Sequence, residues 1–143
     1  MDRRIHHTFF YPEKPEAVWD YLTRPDLMER WLMKTTFQPI IGFDFQFFTK
    51  AMPELGFDGV VHGTVLEIIP HEKLSYSWKS GPGNNRITLD SIVTWTLIAR
   101  DNGTELVLDH SSFKKIDFTI FAMLEEGWLK NIKKIAELVA ASK

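Results

Sequence analysis

Between Thr36 and Ser112 apolar side chains recur at every second position, and from about Phe118 they recur at steps of three and four. This change of period constrains the fold more than any other feature. Phe43, Phe45 and Phe47 alternate with Asp44 and Gln46, and Leu74, Tyr76 and Trp78 alternate with Lys73, Ser75, Ser77 and Lys79. Leu89, Ser91, Val93, Trp95 and Leu97 repeat the pattern, as do Leu106, Leu108 and His110. A period of two is the mark of an antiparallel strand buried on one face. Ile5, His7, Phe9 and Tyr11 share a face in the same way near the N-terminus. Asp101-Asn102-Gly103 predicts a tight hairpin, because both central residues of a type I′ turn need φ > 0. Val60 to Ile69 reads as a strand of ambiguous phase, ended by a turn at Pro70-His71-Glu72.

Helical spacing appears in three places. Pro15 suits a first helical turn, where its missing N–H would be unpaired anyway, and Val18, Trp19 and Leu22 form the stripe behind it. Thr23 and Asp26 stand at capping-box spacing around Pro25, which predicts a break and a second short helix bearing Leu27, Met28, Trp31 and Leu32. Phe121, Leu124, Trp128, Ile132, Ile135 and Val139 form the stripe of the last helix, with Lys130, Lys133, Lys134 and Glu137 mainly off it. Running from Phe118 to Ala141, such a helix is about 36 Å long.

Strands followed by a helix, without β-α-β alternation, make an antiparallel α+β domain. Six or seven strands at about 4.8 Å spacing span roughly 30 Å. One helix with its side chains is only about 10–12 Å thick. A flat sheet would leave much of its apolar face bare, so the sheet must curl around the helix, with the short helices closing one end. Twist and bulges make such curling easy. A sheet curled around one helix leaves slots between large flat rings. Phe43, Phe45, Phe47, Tyr76, Trp78 and Trp95 are expected on the concave face, where they serve either as core or as the walls of an apolar ligand pocket.

With 143 residues, 1–143 is read as one domain able to bury a core without staples. There are no cysteines, which excludes disulfides and thiolate metal sites. Net charge is −2, which offers no basic footprint for nucleic acid. No apolar run approaches the roughly 20 residues of a membrane span, and no leader is evident, so a cytoplasmic protein is expected. The histidines are scattered, and His71-Glu72-Lys73-Leu74-Ser75 lacks the second histidine of a zinc motif, so neither metal nor cofactor is expected. Met52, Leu55 and Phe57, in a Gly/Pro-containing loop, form either a hinged lid or a static plug; the plug is favoured.

Several segments also carry a resemblance. Val18-Trp19, Thr23-Arg24-Pro25-Asp26 leading to Arg30-Trp31, and Gly42 before the phenylalanine strand are followed by Gly63 through Pro70. Leu74 through Trp78, Val93-Thr94-Trp95, Gly103 through Leu106, His110 and Gly127-Trp128 complete an ordered set over nearly the whole chain. In these the chain resembles the heat-shock protein 90 ATPase activator homologues, a branch of the START-like (SRPBCC) superfamily. The resemblance implies a helix-grip fold with a cavity between sheet and terminal helix. It also implies that Gly63, Val65 and Glu67 face the concave side. Phe43 and Ser112 stand where the family often has glycine.

Three functions follow as expectations. The first is a binding module for a small, mostly apolar molecule. Its candidate ligand-binding residues are Trp31, Phe43, Phe45, Phe47, Val65, Glu67, Tyr76, Trp78, Trp95, His110, Leu124 and Trp128. The second is a co-chaperone-like interaction module stimulating a stress chaperone's ATPase. The third is a cyclase- or hydrolase-type enzyme with Glu67 and His110 as acid/base pair, against the favoured reading of both as structural hydrogen-bonders.

Overall fold

The computed structural model describes residues 3–114, 116 and 118–142. Strand β1 (Ile5–Tyr11) is followed by helices α1 (Pro15–Thr23) and α2 (Pro25–Trp31). Strands β2 (Lys34–Thr35), β3 (Asp44–Phe48), β4 (Val60–Ile69), β5 (Lys73–Ser80), β6 (Leu89–Arg100) and β7 (Gly103–Ser111) come next. Helix α3 (Phe118–Ala141) closes the order. All seven strands form one antiparallel sheet in the order β1-β7-β6-β5-β4-β3-β2. It is the α+β helix-grip arrangement, with the sheet curled around α3.

The alternation of the sequence sets the register. Val65, Tyr76, Val93, His110 and Ile5 form one inward row across five strands. Leu74, Trp95 and Leu108 form the next. The β6–β7 hairpin closes through Asp101 (φ 50°) and Asn102 (φ 62°), the two left-handed residues that its turn demands. Gly63 is required by close approach: a β-carbon there would lie 2.7 Å from the Ser77 carbonyl oxygen and against the Phe45 ring.

Two local expectations are corrected. No capping box forms between the short helices. Thr23 instead donates its hydroxyl to the Trp19 carbonyl, 2.9 Å away, and Arg24 takes the cap position before Pro25. Glu67 does not face the concave side. A bulge between Val65 and Glu67 shifts the phase of β4, so that Glu67 pairs with Ser75 on the outer face and Ile68 with the fully buried Leu74. Val65 keeps its inward place upstream of the bulge.

Helix α3 is held in its second half. Trp128, Ile132, Ile135 and Val139 are buried. The Tyr11 hydroxyl donates to the Ile132 carbonyl at 2.7 Å, and Tyr21 reaches the Leu138 carbonyl at 3.3 Å. Burial pushes the Tyr11 phenol pKa up, with Glu13 adding to it, so the hydroxyl stays a donor. The first half is different. Phe118 and Met123 are exposed, while Phe121 and Leu124 are only half-buried. Its ties are peripheral: His7 Nε2 lies 3.2 Å from the Glu125 carbonyl, and the Arg3 guanidinium lies over Phe118 and Phe121. The cavity described next lies beneath this half.

Candidate functional site

Strands β3, β5 and β7 end, and β4 and β6 begin, at the same end of the sheet, since hairpin connections bring those ends together. The first turns of α3 pass over that end. Between them is a cavity of about 540 Å³, within the usual range of roughly 300–1,000 Å³ for small-molecule pockets. Its floor is Trp78, Ser80, Leu89 and Val61. Ile116, Ile120, Met123 and Leu124 roof it. Met52, Leu55 and Phe57, joined by a β-bridge between Met52 and Phe57, form one side wall beside Met33 and Thr49. That loop is therefore a wall of the cavity rather than a plug within it. Among the described residues no charged side chain lines the cavity. The polar residues on its lining are Thr49, Ser80 and Thr88, and Trp78 carries an indole N–H.

Of the residues singled out in the sequence, Trp78 and Leu124 border this cavity. Trp31, Phe45, Phe47, Val65, Tyr76, Trp95, His110 and Trp128 are buried in the core, and none lines the cavity. Phe43 is half-buried against that core. The rings interlock edge to face: Phe45 with Tyr76 at 5.4 Å, Trp78 with Trp128 at 5.2 Å, and Trp95 with Trp31 at 5.9 Å. Offset and edge-to-face pairs of this kind are the favoured ring arrangements, and these buried rings occupy the centre of the hollow under α3.

His110 is at the heart of a directed hydrogen-bond chain. Trp128 Nε1–H can only donate, so His110 Nδ1, 2.9 Å away, accepts. The proton of the neutral ring is then on Nε2, which donates to Ser91 Oγ at 2.7 Å. The Ser91 hydroxyl in turn donates to the Trp78 carbonyl at 2.9 Å. Burial pushes the imidazole pKa down to about 3. Glu67 is half-exposed on the other face of the sheet, 3.0 Å from Lys73 Nζ. The two groups therefore face opposite sides of the sheet, and the acid/base pair considered from the sequence is not made. Among the described residues no three His, Asp or Glu converge as metal ligands, and no helix is long and apolar enough to cross a membrane.

Sequence reasoning passed over Met33, Val61, Ser80, Thr88, Leu89, Ile116, Ile120 and Met123. Most lie at strand ends, in loops or off the apolar stripe of α3, and Leu89, though inward by its alternation, carried no sign that its strand end borders a cavity. The signal that could have found them is connectivity: in a hairpin meander the residues flanking alternate turns converge at one end.

The fold has counterparts. The family model for activator of Hsp90 ATPase homolog 1-like protein matches residues 13–140. Protein MLL2253 from Mesorhizobium loti is 29% identical over 99% of each chain, with a TM-score of 0.87. DynU16, a protein of the dynemicin biosynthetic locus, is 20% identical with a TM-score of 0.78, over 100% of this chain and 49% of that one. The Aha1 dimer from Colwellia psychrerythraea is 17% identical over 96% of each chain, with a TM-score of 0.76. No curated protein is matched by the sequence.

Proposed function

We propose that this chain, which belongs to the activator of Hsp90 ATPase homolog 1-like family, is a binding module for a small, mostly apolar molecule held at the open end of its sheet. The observation that carries this reading is the cavity of about 540 Å³, lined by no charged group among the described residues. An empty volume of that size, with Trp78 and Leu89 as its floor, forgoes the packing contacts that the rest of the core makes. A ligand would restore them. The half-held roof supplies a way in, since the first turns of α3 lack the buried anchors of its second half.

Native mass spectrometry of freshly purified protein tests the reading directly, and a thermal-shift screen complements it. The expected result is a co-purifying or added apolar molecule that stabilises the fold. At a ligand concentration 100 times the dissociation constant the gain is about 2.7 kcal/mol. Absence of any bound mass and of any shift across a broad apolar library would overturn it.

A second reading has support of its own: a protein-interaction module acting on a chaperone ATPase. The family's description favours it, and so do the exposed Leu66, Ile69 and Ile98. It predicts stimulation of a chaperone's ATPase rate that is indifferent to substitutions in the cavity. Catalysis by Glu67 and His110 gains no support from their placement on opposite faces of the sheet.

A further inference from the structure

Four tryptophans reach into or over the core between α2 and α3, and their indole N–H groups are not treated alike. Trp31 donates to the Tyr21 carbonyl at 2.6 Å, Trp95 to the Tyr76 hydroxyl at 3.0 Å, and Trp128 to His110. Trp78 is equally buried, at 4% exposure, yet its N–H has no acceptor among the described residues. It is also not sealed off from solvent-sized access, and Trp78 borders the cavity. Two residues along the same face of β5 is Ser80. It is 7% exposed and lines the cavity, and its hydroxyl has no protein partner among the described residues. Thr88 is drawn beside Ser80 by its own N–H, which donates to the Ser80 carbonyl at 2.9 Å. Thr88 itself is solvent-exposed, so its hydroxyl is open to water.

Buried polar groups in folded proteins almost always find a partner. An indole N–H can only donate, and a hydroxyl can donate as well. Together they ask for an acceptor. A buried carboxylate would satisfy them too, but no cation lines the cavity among the described residues, and an uncompensated charge there is costly.

Resting on the binding reading above, we infer the ligand class. The cavity takes a neutral molecule with an apolar body and one acceptor oxygen, a ketone, ester or amide carbonyl, received by Trp78 Nε1–H with Ser80. The body packs on Leu89, Ile120, Met123 and Leu124.

A matched set of probes on one skeleton tests this: 2-acetylnaphthalene, 2-isopropylnaphthalene, 2-naphthoate and 2-(aminomethyl)naphthalene, titrated calorimetrically and by NMR of the indole N–H signals. The ketone is expected to bind tightest. The hydrocarbon should bind about tenfold more weakly, the worth of one buried hydrogen bond. Each charged probe should bind more than about 100-fold more weakly. Of the five tryptophans, Trp78 alone should show an indole proton moving downfield with the ketone and not with the hydrocarbon. Ser80→Ala and Trp78→Phe should each narrow the ratio of ketone to hydrocarbon affinity, whatever either does to the hydrocarbon's own affinity. Circular dichroism checks that both variants fold.

Equal affinity of ketone and hydrocarbon with a stationary Trp78 signal would overturn the acceptor assignment. Naphthoate or the amine binding as tightly as the ketone would overturn neutrality. Either outcome leaves the cavity as a binding site. Failure of all four probes, with no co-purified mass, would instead overturn the binding reading itself.

Discussion

His110 has the residue type of a general base and the surroundings of a structural strut. Its Nδ1 is fixed as an acceptor by Trp128, and burial holds the ring neutral, with a pKa pushed down to about 3. In the unfolded chain the same ring takes a proton near pH 6.5. Below that value the unfolded state therefore binds a proton that the folded state refuses, and stability falls as pH is lowered from about 6.5 towards about 3. The loss attributable to this ring approaches about 1.4 kcal/mol per pH unit at the steepest. Urea unfolding as a function of pH should show this slope, and His110→Gln should flatten it. The imidazole carbon shift of His110 should stay constant from pH 5 to 8. A titration midpoint within that range would show the ring to be free to exchange protons.

The inward row of β7 was legible because alternation places His110 among Leu106 and Leu108. The partner of the imidazole was not, because Trp128 arrives from an element 18 positions away. Glu67 was misplaced for a different reason. One residue inserted at a bulge inverts every side chain after it, and no periodicity within a ten-residue strand announces such an insertion. Ser112 is a case where local chemistry departs from the expected residue yet the backbone does not. It takes φ 59°, a left-handed value in which glycine would be unstrained.

At the scale of elements, α3 is one continuous helix with two mechanical regimes. Its second half is anchored by four buried side chains and two tyrosine hydroxyls. Its first half has the cavity beneath it and its ties at the periphery. Local opening follows local burial, so amide hydrogen exchange should separate the halves. Amides between 122 and 127 should exchange at least tenfold faster than those between 132 and 138, and 2-acetylnaphthalene should slow the first group selectively. Uniform protection along the helix would remove the proposed route of entry. The helix itself was evident from its three-four stripe, and its bounds matched. Its division into halves was not, because Phe121 and Leu124 carry the same apolar character as Ile132 and Ile135. What separates them is what lies underneath, and that is fixed by where the strands of the sheet end.

At the scale of the whole molecule, the same curl that makes the core makes the cavity. Interlocked rings fill the hollow where the sheet is closed by α1 and the second half of α3. They stop where the strands end, and the remaining space falls to the loops and the first turns of α3. Stability and binding are therefore separable by position. Trp128→Ala removes a ring that is 2% exposed and meets Trp78, Trp95 and His110. It should lower stability by about 3–5 kcal/mol, the usual cost of a large aromatic lost from a core. Leu89→Trp acts at the other end. Leu89 lies on the cavity floor, where the larger ring has room to turn into empty space rather than into neighbours. It should leave the melting temperature unchanged or slightly higher, while the shift produced by 2-acetylnaphthalene disappears. Thermal melts of both variants, with and without that probe, measure the two effects side by side. A Leu89→Trp protein that melts normally and still gains the full ligand shift would place the binding site elsewhere, on the outer face or at the α1 end of the sheet.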